Sequence, residues 1–494
     1  MMKTCVLPID SRPCSYDFVK DLADINGAEC ILPPLRIMDD FRQPSDFSTI
    51  SKWLDTVSCD TLILSIDQLL YGGLLASRQS GISLQAALER LNILKKLKQK
   101  NPNLRVFASS VLMRTTVSTL SLESKVWWED VSQYAKASYF VSIDETDQVN
   151  KERLLELEKK IPESVLSEFL SVRKRNHEVN KKCIELVNYG LIDFLLILQE
   201  DCSEYGMHRA EQKKLLEIID KYELQNRVLL HNGTDESTTE LLARAASTKP
   251  KHIQVKWLGE NSDFIALFED RPFIDNLKSH LNIMNIHEDE ESDTILFIYL
   301  PKNGQKDFCA DWEKQPDSGY DPGELESFAQ SIADAINQGK DCYLLDVAFA
   351  NGGDPELLQS LAKQVEVSKL CGYSAWNTAS NALGTILSQI VLSKGENSEA
   401  NKRFTTSRIM DDVIYQAVIR KRLEKDLRER GLDPFSIANV DLAEALLQVR
   451  YEEVKPLIEE IIPNALTSLG FTLRWYRTFE IEICNRSKSK GVVF

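Results

Sequence analysis

Acidic side chains, arginines and paired glycines recur just after short apolar runs in this 494-residue sequence. LPIDSRP carries Asp10, Ser11 and Arg12 before Pro13. SIDQLLYGGLLASR holds Asp67, Tyr71, Gly72, Gly73 and Arg78 between apolar flanks, and LMRTT supplies Arg114. LILQEDC adds Glu200 and Asp201, and HNGTDES adds His231, Asp235 and Glu236. Further on, DVAFANGGD contains Asp346, Asn351 and Asp354, and GYSAWNTASN contains Trp376, Asn377 and Asn381. Carboxylates gathered in one place repel one another, which raises some of their pKa values. Pairing with arginine or a hard divalent cation among oxygen ligands relieves that repulsion. So does one acid that stays protonated opposite an ionised partner, the arrangement that cleaves glycosidic bonds. On this basis Asp67, Asp201 and Glu236 are expected to be the acid, base or metal-ligating groups. Asp10, Arg12, Tyr71, Gly72, Gly73, Arg78, Arg114, Asn351, Asp354, Trp376 and Asn377 are expected to bind substrate. Adjacent glycines permit close backbone approach, and an aromatic ring beside an amide suits a sugar-like ligand.

Each signal also has a plainer reading. Asp, Ser and Asn cap helices and glycine permits tight turns, so Asp235 and Ser11 taken alone read as caps. His208 and His231 follow apolar runs and offer a general base or a phosphate partner, but a supporting role is equally compatible with their positions. The pattern GxGxxG is absent, as are GxxxxGK[ST], HExxH and GxSxG, so no nucleotide cofactor is expected. The six histidines do not stand at zinc-site spacings, whereas the oxygen-rich acids would suit Mg, Mn or Ca.

The elements that must position these groups are short Val/Ile/Leu-rich runs alternating with helical periodicity. CVLPI, ECILPP, DTLILSID, NLRVFASSVLM, DFLLILQE and NRVLLHNG form a first series. HIQVKWL, DTILFIYLP, CYLLDVAFA and KLCGYSA form a second. Apolar runs without strict alternation, joined by helices, predict an α/β protein with mostly parallel sheets. The expected architecture is two doubly wound lobes with a helical C-terminal region; a decorated TIM barrel is the alternative. Either fold gathers ligand groups at the carboxyl ends of the strands. Residues 1–250 form the first expected α/β domain, with a largely helical insertion at 118–190. Residues 251–400 form the second, and 401–494 the mainly helical remainder. The run IHEDEESD at 286–293 and the polar stretch at 302–321 read as surface connectors.

Acidic side chains outnumber basic ones, 75 to 59, giving a net charge of -16 that disfavours a general nucleic-acid surface. The ten cysteines form no CxxC pair and lie mostly in apolar runs, as expected of reduced, buried thiols in a cytoplasmic protein. No apolar run reaches membrane-spanning length. The expected partner is therefore a small molecule, with no membrane.

Taken together, LPIDSRPCSYDF, SIDQLLYGGLLASR, LMRTT, RKRNHEVN (Arg173–Asn180), EDCSEYG, TDES, DVAFANGGD and YSAWNTASNALGT resemble a bacterial family catalogued as domain of unknown function 4127. RFTTSRIMDDVIYQAVIR and LRWYRTFEIEI extend the resemblance to near the C-terminus. The family brings no activity with it. The resemblance implies that both α/β series and the helical tail form one continuous unit sharing a site. From the residues themselves we expect a hydrolase acting on a small polar, carbohydrate-derived substrate. The alternative is a two-lobed cytoplasmic protein that binds a small anionic or sugar-like ligand unchanged.

Overall fold

The computed structural model describes residues 3–118, 125–259, 262–309, 316–393, 397–463 and 469–485. Part of the expected insertion, at 119–124, and part of the expected polar loop, at 310–315, lie outside the described residues. The chain divides into two compact units, one of residues 1–20, 27–245 and 268–271, the other of 21–26, 246–267 and 272–494.

The first unit is built on six strands: β1 (Lys3–Leu7), β2 (Glu29–Ile31), β3 (Thr61–Ser65), β4 (Arg105–Leu112), β5 (Phe194–Gln199) and β6 (Val228–Asn232). They form one open sheet in the order β2-β1-β3-β4-β5-β6, every pairing parallel. TLILS and FLLILQ are buried at every position, which is why they read as continuous apolar runs and not as alternating ones. Leu7, Leu64, Ala108 and Ile197 share one core with Ile184 and Val187 of the helix Glu163–Asn188. Pairing of Leu7 with Leu64 and of Ser65 with Ser109 brings the strand ends level, so the turns after them emerge along one edge. The strand order reverses between β1 and β3, where such sheets open a crevice for ligands.

Helices Trp128–Ile143, Gln148–Lys160 and Glu163–Asn188 fill the connection from β4 to β5. They have a small core of their own around Met113, Val131, Tyr134, Leu157 and Phe169. Polar residues on the inner face of Glu163–Asn188 act as clamps. Arg175 and Asn176 both donate to the Ser77 carbonyl, at 2.5 and 2.9 Å. Arg173 grips both oxygens of Glu211 and the carbonyls of Met113 and Arg114. RKRNHEVN thus fixes the backbones on which Arg78 and Arg114 stand.

The second unit holds β7 (Lys251–Leu258), β8 (Ile286–Glu288), β9 (Thr294–Tyr299), β10 (Lys306–Asp307), β11 (Asp341–Asp346), β12 (Phe349–Ala350) and β13 (Gly372–Ser374). Five of these form an open parallel sheet in the order β13-β11-β9-β7-β8. Counted along the chain this repeats the order of the first five strands of the other unit. Two open sheets replace the barrel alternative. Part of the acidic run differs from its reading as a connector, because Ile286–Glu288 pairs with β7 as an edge strand. Its charges tolerate that place because an edge is solvated on one side. Helices then dominate, including an 11-residue π-helix at Ile409–Ile419, before the antiparallel pair β14 (Leu469–Thr472) and β15 (Glu482–Asn485). Ile409, Val413, Leu423, Leu447 and Ile458 of these helices join Phe297, Leu344 and Leu358 in the core of the second unit.

Candidate functional site

The turn after β1 places Asp10 and Arg12 at the point where the first sheet reverses its strand order. Arg12 Nε donates to Asp10 Oδ2 at 2.8 Å. The same guanidinium donates to both oxygens of Asp235, at 3.1 and 2.5 Å, across 223 residues of sequence. All three side chains are buried, and a two-pronged fork on a carboxylate is the strongest geometry available to such a pair. Burial nevertheless pushes the Asp235 carboxyl up, against the pull of Arg12. Asp39 belongs here too. Burial and repulsion from Asp10 hold it well above the usual carboxylate range, and its Oδ1 has no hydrogen-bond partner among the described residues.

A second cluster gathers at the ends of β3, β4 and β5. Arg78 bonds Glu200 Oε1 and donates to Ser118 Oγ. Arg114 bonds Asp201 through its guanidinium and Glu200 through its backbone N–H. Asp67 accepts from the Val111 N–H at 2.9 Å. Burial pushes the Asp67 carboxyl up to about 7, with the Glu200 charge adding to the effect. Arg114 is raised although its burial acts to lower it, because Asp201, Glu200 and Asp235 surround it. The influence of Asp235 on Arg114 and of Asp201 on Asp235 links the two clusters electrostatically. Beside Arg78 a cavity of about 420 Å³ is lined by Leu75, Met113, Thr116, Ser118, Glu168 and Phe169, among others.

The YGG turn has a largely structural account. Tyr71 is buried with the Arg175 guanidinium 4.2 Å from its ring centre. Gly72 adopts φ +88°, and a Cβ there would stand 2.5 Å from the Ser45 carbonyl oxygen. Gly73 adopts φ +134°, and a Cβ there would stand 3.1 Å from Asp39 Cγ. Substituting Gly72 with alanine is therefore expected to cost about 1–3 kcal/mol from backbone strain alone, measurable as a lower urea midpoint with unchanged slope.

Two further groups complete the first unit. His231 Nε2 lies 3.1 Å from Glu240 Oε2 and 3.9 Å from Glu236 Oε1, all deeply buried. Burial and Glu240 push Glu236 well up, and Glu236 Oε1 has no hydrogen-bond partner among the described residues. Cys202, His208 and Asp270 place ligand atoms within 4.8 Å of one another, close enough to hold a divalent metal. Sequence spacing does not reveal this group, because Asp270 arrives from a segment remote in the chain. Glu240 was likewise unmarked, lying inside a helix and not after a strand.

The second unit holds the remaining expected residues. Asp346 accepts from the Ala348 and Asp354 N–H groups and the Tyr373 hydroxyl, and burial pushes it up to about 7. Asp354 caps the helix Pro355–Ala362 and accepts from Tyr299. Asn351 and Asn377 both adopt positive φ, at 62° and 68°, and the Asn351 N–H donates to the Asn377 carbonyl at 2.8 Å. Trp376 is buried, its ring centre 5.5 Å from that of Phe479. Asp411 and Asp412, in the π-helix, bind Arg408, and burial raises Asp412 to about 7. Asp10, Arg12, Asp67, Tyr71, Gly72, Gly73, Arg78, Arg114, Asp201 and Glu236 thus belong to one unit, and Asn351, Asp354, Trp376 and Asn377 to the other.

Among the described residues no helix is long and apolar enough to cross a membrane. No curated protein and no solved structure matches the chain. A family model matches residues 4–484, both α/β units and the C-terminal helices included. The chain belongs to the family described as protein of unknown function (DUF4127).

Proposed function

We propose that the carboxyl edge of the first sheet is the active site of a hydrolase for a small polar, carbohydrate-derived substrate. The observation that carries this reading is Asp67, a buried acid that keeps its proton to about neutral pH beside carboxylates that arginines hold in place. An acid able to donate a proton near pH 7, opposite ionised partners, is what scission of a glycosidic or similar bond requires. Asp67 is assigned the proton donor. Asp201, partly exposed on Arg114, is assigned the base that activates water. Glu236, with one oxygen unengaged, is the remaining acid. Asp10, Arg12, Arg78 and Arg114 orient an anionic or hydroxyl-bearing group, and of these Arg78 lines a cavity of a size to hold a small molecule.

A panel of glycosides and phosphoesters, with products read by mass spectrometry, tests the assignment. The wild type is expected to turn over a member of the panel, and Glu236→Gln to slow it about 10²–10⁴-fold. Equal rates for the two proteins would remove Glu236 from the chemistry. A rise in melting temperature with a panel member, but no product, would favour the ligand-binding alternative.

A further inference from the structure

The loop after β5 and the short segment 268–271 bring together side chains that the proposed acid–base chemistry does not use. Cys202, His208 and Asp270 are all buried, and their ligand atoms lie within 4.8 Å of one another. His208 is 0% exposed; its Nδ1 has no hydrogen-bond partner among the described residues, and its Nε2 meets Asp270 Oδ2 at a long 3.4 Å. A buried imidazole nitrogen left unsatisfied is unfavourable and needs a reason. At 3.4 Å the Nε2–Oδ2 contact is long for a hydrogen bond. Two ligand atoms about 2.0–2.1 Å from a tetrahedral zinc ion are themselves roughly 3.3 Å apart. That separation fits two ligands of a common cation better than a donor and its acceptor.

The surroundings are those of a held ligand set. Gln212 Nε2 donates to Asp270 Oδ2 at 2.8 Å and Asn232 Nδ2 to Oδ1 at 3.0 Å, contacts of the kind that orient a metal-binding carboxylate. Gly206 leaves room for the imidazole, since a Cβ there would stand 2.9 Å from Nδ1. Arg209 and Arg271 also approach Asp270, at 3.3 and 3.5 Å. Their positive charge opposes a cation, so the thiolate must supply much of the affinity.

We propose that Cys202, His208 and Asp270 bind one zinc-class divalent cation. The sulfur, nitrogen and oxygen set selects a softer metal than the Mg, Mn or Ca expected for an all-oxygen site. On binding, the Cys202 S–H bond breaks, its proton leaves to solvent and the thiolate electron pair coordinates the metal. Three protein ligands leave a fourth position for water. The ion would tie the loop that carries Glu200 and Asp201 to segment 268–271, which the Cys202 N–H already joins through the Phe268 carbonyl at 3.0 Å.

The test uses the full chain, stripped with a chelator and titrated with Co²⁺ as a spectroscopic stand-in for zinc. One equivalent is expected to bind, with a thiolate-to-cobalt charge-transfer band that Zn²⁺ abolishes and a higher melting temperature. Cys202→Ser, close in size, should lose the band and weaken binding beyond the roughly 10–100-fold cost of losing a supporting contact. His208→Gln provides an independent variant with the same expected loss of affinity. Cys183→Ser, at a buried thiol outside the cluster, should change neither band nor affinity. Failure of the wild type to take up one equivalent, or persistence of the band in Cys202→Ser, would overturn the proposal. None of these readouts depends on turnover, so their failure is separable from failure of the hydrolase reading.

Discussion

Asp67→Asn is expected to cut turnover about 10²–10⁴-fold, the range lost with a positioned proton donor, while leaving the fold intact. The amide oxygen can still accept from Val111, which now donates to Asp67 Oδ2 at 2.9 Å, so no backbone group is orphaned. Two pH measurements separate catalysis from structure. In the wild type the rate should fall as pH rises through about 7, where the Asp67 carboxyl loses its proton. The variant should lack that limb. Stability moves in a related way. Because burial raises this acid in the folded chain, the folded state holds its proton from about pH 4 to 7 while the unfolded state releases it. The folded chain is therefore progressively penalised as pH rises through that window, by on the order of 4 kcal/mol once the group is fully ionised. Asp67→Asn removes this penalty, so its urea midpoint should fall less steeply between pH 4 and 8. Asp346 and Asp412, each raised to about 7 by burial, keep their own share of the slope. A variant with wild-type turnover and an unchanged pH profile would strip Asp67 of the role.

The strands were legible because a sheet covered on both faces buries every residue of TLILS or FLLILQ, leaving unbroken apolar runs between helices. β8 was not, since an edge strand can carry His287 and Glu288 and lacks that signature. Local composition also marked the strand-end turns, so Asp10, Arg12, Asp67, Arg78, Arg114 and Asp201 could be named before any pairing was known. What no local pattern encodes is which turns meet. Arg12 and Asp235 are joined across 223 residues, and Asp270 enters the group of Cys202 and His208 from a segment that follows no strand of the first sheet. Asp39 and Asp40 are adjacent acids that burial alone tells apart: Asp39 is 4% exposed and held next to Asp10, whereas Asp40 lies exposed.

Arg12→Met is expected to destabilise the protein by about 3–5 kcal/mol, the cost of breaking a buried ion pair from one side. Asp10 is 0% exposed and Asp235 6% exposed, so neither can recover hydration when the guanidinium goes, and the two carboxylates would lose the positive charge they share. Lysine at this position should restore only part of the loss. An ammonium cannot reproduce the fork that meets Asp235 at 3.1 and 2.5 Å while Nε holds Asp10 at 2.8 Å. The informative comparison is the double variant Arg12→Met with Asp235→Asn. Once the partner charge is removed, the methionine no longer deprives that side chain of its guanidinium partner, so the pair of substitutions should cost less than the sum of its parts by about 0.5–3 kcal/mol. Urea unfolding of the four proteins supplies all the terms. If Arg12→Met costs under about 1 kcal/mol, or the two substitutions simply add, the buried bridge is not what holds the β1 and β6 turns together. If the coupling appears, the same bridge fixes the geometry in which Arg12 would meet a substrate: a guanidinium already committed to two acids can take an anionic group only by sharing or surrendering one of them.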